Sequence, residues 1–165
     1  MAKPLDFNAG PLVWVDCEMT GLDPRTDKII EIAVLITNGN LELVDEGLEF
    51  VIRTDKADLD RMGEWCTKQH GQVRFSRPHA TAHLIPDATQ SGLTKACLES
   101  PHSHENVTKA VLAYIKKWIP QQRVGVLAGN SVHADRSFLV EAMPEVVDWL
   151  HYRSLFPTLS TMYIC

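Results

Sequence analysis

The chain has 165 residues, room for one ordinary domain and not for two. Hydrophobic residues make up 45% and charged residues 22%, which allows a buried core and excludes compositional disorder. Sixteen Lys and Arg against 21 Asp and Glu give a net charge of −5, which excludes the basic field that grips long nucleic acid through many phosphates. No apolar run approaches a membrane span, and the first residues carry neither a signal-peptide nor a transit-peptide pattern. Cys17, Cys66, Cys97 and Cys165 lie far apart with no C-x-x-C pair. This argues against a zinc knuckle or disulfide scaffold and for a reducing intracellular compartment, the cytoplasm first and mitochondria second.

In chain order, residues 1–11 read as a tail. Leu12-Val13-Trp14-Val15 is a short apolar run that predicts a buried strand, leading into Asp16-Cys17-Glu18 and the turn-rich Gly21-Leu22-Asp23-Pro24. Ile29 to Asn38 predicts a second strand, Asn38-Gly39-Asn40 a hairpin, and Leu41 to Val44 its antiparallel return. Glu49 to Ile52 predicts a further strand. Leu59, Met62, Trp65 and Cys66 fit one face of a short helix. Ser103 caps a longer helix from His104 to Trp118, with apolar positions at spacings of three and four, and Pro120 ends it. Val124 to Ala128 predicts a strand, Arg136 to Ala142 a helix, and Pro144 opens a last turn through Val146, Val147 and Leu150. The order implies a mixed sheet flanked by helices, an α/β (α+β mixed sheet) class. Val73 to Gln90 and Ser154 to Cys165 have no sustained period of either kind.

Asp16 and Glu18, two apart at the end of a strand, share one face of it. Two carboxylates beside an apolar run repel each other and resist desolvation, costs that a hard divalent cation relieves. The bland alternative is a pair of solvated strand-end acids. Asp135, after a buried strand and the turn Gly129-Asn130-Ser131, is a third acid, by itself an ordinary helix N-terminal carboxylate. Together the three suit two Mg²⁺ or Mn²⁺ ions around a phosphate in an in-line displacement.

The stretch Val15-Asp16-Cys17-Glu18-Met19-Thr20-Gly21-Leu22-Asp23, then Ile29-Ile30-Glu31-Ile32-Ala33, resembles the opening of the oligoribonuclease family. So do Glu64-Trp65-Cys66, His70-Gly71, Ser91-Gly92-Leu93-Thr94-Lys95-Ala96, Leu127-Ala128-Gly129-Asn130-Ser131-Val132-His133, Asp135, Phe138-Leu139, Met143-Pro144 and Leu150-His151-Tyr152-Arg153. These blocks follow family order from Leu12 to Arg153, apart from Val73 to Gln90, which is far more specific than a lone D-x-E. The resemblance implies an RNase H-like exonuclease fold of the DEDD superfamily. It also implies a homodimer that removes nucleotides 3′ to 5′ from very short single-stranded RNA, dinucleotides especially, with two divalent ions. Asp16, Glu18 and Asp135 match metal ligands. Leu22 matches a wedge between the bases, Trp65 the base pocket and His70 a substrate-side residue. Ser131 and Arg153 match residues that bind the 5′ phosphate, and Tyr152 a residue that reaches across the dimer. Taken singly, Leu22 is a turn residue, Trp65 a core aromatic, His70 and His133 surface histidines, and Tyr152 and Arg153 a solvated rim.

The pattern breaks in two places. Family members carry a later His-x-x-x-x-Asp segment that supplies a general base and a fourth carboxylate, and these 165 residues contain none after His151. The expectation is a fold incomplete at its C-terminus and an exoribonuclease impaired in this chain. The alternatives are a non-catalytic piece that binds short nucleotides or pairs with a complete subunit, and a metal-dependent phosphohydrolase with its own base. Deleting Val73 to Gln90 restores a continuous family block, and its ends fit an in-frame unspliced intron, so residues 12–153 read as one partial domain with an insertion at 73–90 and a divergent tail at 154–165.

Overall fold

The computed structural model describes residues 3–70 and 92–155, with the side chains of Trp65, Lys68 and Gln69 outside the description. The insertion at Val73–Gln90 and most of the divergent tail therefore lie outside the described residues.

A 3-10 turn, Phe7–Ala9, leads into a five-stranded mixed sheet. The strands are β1 (Leu12–Met19), β2 (Ile29–Thr37), β3 (Leu48–Val51), β4 (Val126–Ala128) and β5 (Ser154–Leu155), in the order β3-β2-β1-β4-β5. β2 pairs antiparallel with β1 and with β3, whereas β4 runs parallel to β1 and to β5. The helices are α1 (Lys56–Leu59), α2 (Glu64–His70), α3 (Gly92–Glu99), α4 (His104–Trp118), α5 (Val132–Ala142) and α6 (Pro144–Trp149).

Pleat alternation and register together decide the two faces of the sheet. Val13, Val15 and Cys17 stand opposite Ile36, Val34 and Ile32, and all six are buried against α4, α5 and α6 in the main core. The intervening pairs, Asp16 with Ala33 and Glu18 with Glu31, occupy the other face. α4 turns Val107, Val111, Ile115 and Trp118 toward the core. Its N-terminus is capped as its sequence predicts, the Ser103 hydroxyl accepting from the Asn106 N–H at 3.3 Å. A second cluster, Ile30, Leu59 and Cys97, packs with Met62 and Leu93.

Several expectations need correction. Leu41 to Val44 forms no strand, only a single antiparallel bridge between Thr37 and Leu43. Asn38 organises that loop instead, its side-chain oxygen accepting from the N–H groups of Asn40 and Glu42, a local alternative to pairing. The short helix expected around Leu59 to Cys66 is two, α1 and α2, parted near Gly63. β4 starts at Val126, not Val124, and α5 starts at Val132, a turn before Arg136. Ser154 and Leu155, read as patternless tail, pair with Leu127 and Ala128 as β5.

Candidate active site

β1 outruns β4. Pairing with β4 stops at Trp14 opposite Ala128, while β1 continues to Met19. The chain turns away at Gly129, so closely that a Cβ there would stand 2.8 Å from the Val15 carbonyl oxygen. Past this point the β1 edge would be left open, and α5 closes it. The Cys17 N–H donates to Oδ1 of Asp135 at 3.0 Å, a charge-assisted bond in a buried setting. Asp16 is exposed and Glu18 half-buried on the solvent-side face, and Asp135 reaches from the helix layer to the strand edge between them in sequence.

The electrostatics record the crowding. Burial, with the Asp16 charge adding, pushes the Asp135 carboxyl above the ordinary carboxylate value against the opposing Cys17 bond. Burial pushes the Cys17 thiol well up, Asp135 and Asp16 adding. Glu31, directly opposite Glu18, is pushed up to about 7, first by burial and then by Glu49. His70, the buried last residue of α2, places Nε2 2.7 Å from the Met19 carbonyl oxygen, so that Nε2–H donates. Its Nδ1 faces Oε2 of Glu18 at 3.8 Å.

Directly after β1, residues 20–28 project Leu22, which is 83% exposed. Trp65 lies on α2, and the neighbouring Cys66 thiol is pushed up by burial with the Asp27 carboxylate adding, which puts α2 beside this loop. Ser131 precedes α5 at φ 53°, a left-handed conformation, and its hydroxyl makes no cap bond. His133 follows, exposed in the first turn of α5.

Tyr152 and Arg153 are elsewhere. Tyr152 is exposed and stacks on His151 at 4.4 Å, and the Arg153 guanidinium lies over the Tyr152 ring at 5.4 Å. Ser154 is level with Leu127 and hence with Val13, so the acids stand roughly 10 Å further along the sheet and two strands away. Within one protomer this pair does not join Asp16, Glu18 and Asp135.

Carboxylate oxygens are the right donors for Mg²⁺ or Mn²⁺, and a cation would relieve both the burial that chiefly lifts Asp135 and the smaller contribution of the Asp16 charge. Among the described residues, however, no three His, Cys, Asp or Glu side chains close on one point as a metal site. The sequence reading missed three contributors: the Cys17 N–H that anchors Asp135, Glu31 opposite Glu18, and Asp27. Glu31 had a signal, as the lone acid within the apolar run Ile29-Ile30-Glu31-Ile32.

Residues 13–76 match the RNase_T family, described as Exonuclease. A probable oligoribonuclease of Schizosaccharomyces pombe is 43% identical over 87% of this chain and 50% of its own length. The mitochondrial oligoribonuclease of Saccharomyces cerevisiae is also 43% identical, over 87% of this chain and 49% of its own. This chain thus spans about half the length of those two relatives. The oligoribonuclease of Pseudoalteromonas translucida is 36% identical over 92% of this chain and 73% of its own. Among solved structures, E. coli exonuclease I in complex with a dT13 oligonucleotide superposes with a TM-score of 0.59 at 12% identity, covering 94% of this chain and 29% of that one, a likeness of RNase H-like fold. No described helix is long and apolar enough to cross a membrane. With a D-x-E strand end, a third acid delivered by α5, and over a third of residues shared across most of the bacterial relative's length, the chain belongs to the oligoribonuclease family.

Proposed function

We propose that the chain serves 3′–5′ exoribonuclease chemistry on very short oligoribonucleotides, diribonucleotides above all. The observation that carries this is the Asp135–Cys17 bond, which brings a third carboxylate to a strand end already bearing Asp16 and Glu18, beside a projecting leucine. Asp16, Glu18 and Asp135 would hold Mg²⁺ or Mn²⁺, two ions in a complete site. When bound, the ions supply charge to stabilise the phosphorane-like transition state and lower the pKa of water.

The other side chains bind and orient. Leu22 wedges between two bases and Trp65 gives one of them a stacking surface, an interaction that tolerates any base. His70, fixed by the Met19 carbonyl, lines the substrate side of Glu18. Arg153 and the Ser131 hydroxyl receive a 5′ phosphate. Because Tyr152 and Arg153 lie away from the acids of their own protomer, a second copy presents Tyr152 to the site, so the working unit is a homodimer. The setting is intracellular, which suits the free, buried Cys17, Cys66 and Cys97.

These 165 residues include Asp16, Glu18 and Asp135 but no His-x-x-x-x-Asp segment, so slow cleavage is expected of this polypeptide alone. Single-turnover cleavage of a 5′-labelled diribonucleotide with Mn²⁺ tests this. The expected result is slow cleavage abolished by Asp16→Ala. Cleavage indifferent to Asp16→Ala overturns the site, and turnover matching a complete family member overturns the impairment. A second reading, binding without cleavage, is favoured by the lack of a closed three-ligand group among the described residues, and tight diribonucleotide binding with no product would establish it.

A further inference from the structure

The loop that projects Leu22 is built around one carboxylate. Residues 20–28 leave β1 and return to β2 with their ends joined. The Thr20 N–H donates to the Lys28 carbonyl at 3.0 Å, and the Lys28 N–H donates to the Thr20 hydroxyl oxygen, also at 3.0 Å. That hydroxyl, on a residue only 3% exposed, donates in turn to Oδ1 of Asp27 at 3.0 Å. The other oxygen, Oδ2, accepts from the Asp23 N–H at 2.9 Å. Thus both oxygens of one side chain are engaged, one on each side of Leu22 in the sequence.

Gly21 completes the arrangement. A Cβ on residue 21 would stand 2.3 Å from Oδ2 of Asp27, so the carboxylate occupies the space a side chain would need. Asp23 adds an inner turn, its Oδ1 accepting from the Arg25 N–H and its carbonyl from the N–H groups of Thr26 and Asp27. An exposed leucine in a loop is ordinarily free to move with it. Here the residues on either side of it are tied to a common anchor, and the anchor is tied through Thr20 to the end of the acid-bearing strand. Asp27 holds both neighbouring segments.

We infer that Asp27 is a positioning residue. Through Thr20 and the Asp23 N–H it fixes the height and direction of Leu22 relative to Asp16 and Glu18, and so sets how a short oligonucleotide seats its two bases. The inference rests on the proposed function, since Leu22 is taken there as the wedge. It makes the loop a specificity element whose determinant never touches the nucleotide. Asp27→Asn is the sharp variant: one acceptor remains for Thr20, but an amide N–H₂ then confronts the Asp23 N–H, donor against donor.

The test uses the 165-residue chain and a 5′-phosphorylated diribonucleotide, with binding followed by calorimetry in Ca²⁺ for the native chain, Leu22→Ala, Asp27→Asn and the double variant. The expected result is a loss of roughly tenfold for each single variant, a charge-assisted bond being worth about one decade in affinity, and no further loss in the double. Equal and additive losses, or an Asp27→Asn variant that binds like the native chain, overturn the inference. Hydrogen exchange supplies the independent arm. The Asp23 amide should lose protection about tenfold in Asp27→Asn while amides of α4 stay unchanged, and unchanged Asp23 protection also overturns it. If the native chain binds no diribonucleotide, the proposed function fails, and the exchange arm still decides whether Asp27 orders the loop.

Discussion

The loops at the two ends of β2 each use one aspartate as an anchor, to opposite effect. In the loop of residues 20–28, every bond of Asp27 described above stays within nine consecutive positions, and the loop's apolar residue, Leu22, points to solvent. In the loop that follows β2, Asp45 reaches out of its own segment. It accepts from the Tyr114 hydroxyl at 2.6 Å and the Trp118 indole at 2.8 Å, both on α4, with Lys117 at 3.5 Å and the Gly47 N–H at 3.0 Å. One carboxylate shapes a projection and the other fastens a flap to the core. The same residue type thus shapes a local projection when its bonds stay within the loop and ties the loop to the fold when they reach α4.

That contrast can be broken by measurement. Asp45→Ala strands a hydroxyl and an indole N–H, so urea unfolding should show a loss of about 2–3 kcal/mol, with diribonucleotide affinity unchanged. A loss below 0.5 kcal/mol, or weakened binding, would erase the distinction (~0.5 being the scatter of ordinary surface substitutions).

Asp45→Asn sharpens it through pH. Burial raises the Asp45 carboxyl, but hydrogen bonds from Tyr114, Gly47 and Trp118 and the Lys117 charge outweigh that and hold it below its ordinary value. A carboxylate lowered in the folded state contributes stability above its unfolded pKa and loses it as pH falls through the folded one. The native chain should therefore exceed Asp45→Asn by about 1 kcal/mol near neutrality. The two unfolding free energies should converge as the solution is acidified below the ordinary carboxylate range, and a gap independent of pH refutes the assignment.

Gly21→Ala is the smallest on this scale. Its Cβ displaces a side chain and not the core, so stability should fall by less than about 1 kcal/mol, yet Leu22 loses its anchor and binding should weaken as in Asp27→Asn. A drop in melting temperature as large as that of Asp45→Ala would place Asp27 with the fasteners.

How far the sequence foretold all this depends on the range of the interactions. β1, β2 and α4 were legible because their apolar residues repeat at the period of the element, and Ser103 marked a cap by residue type alone. The D-x-E pair was visible because two residues apart on a strand means one face. Leu41 to Val44 misled because alternation predicts pairing, while Asn38 captures the backbone locally and Leu41 turns left-handed at φ 66°. β5 was invisible, since two residues paired through their backbones leave no pattern in side chains. Of the site, residue types carried Asp16, Glu18 and Asp135, but the bond that joins Asp135 to β1 is to a peptide N–H, which no side-chain motif encodes. Asp27 carries no signal of its own, because an aspartate in a turn-rich segment with Gly21 and Pro24 looks like ordinary turn chemistry.

The bond between the Cys17 N–H and Asp135 also has a temporal side. Its partners are separated by 118 positions, so it belongs to the slowest class of contacts to close. If the strands pair in the order of their synthesis, β1, β2 and β3 form an antiparallel meander before β4 reaches the far edge of β1. Only when β4 slides in beside Leu12 to Trp14 and α5 follows is that edge sealed. In that order of pairing, Asp135 would join Asp16 and Glu18 last, by the same event that removes the nascent chain's open strand edge. A polypeptide stalled before Gly129 would display an unpaired edge of β1, a target for chaperones.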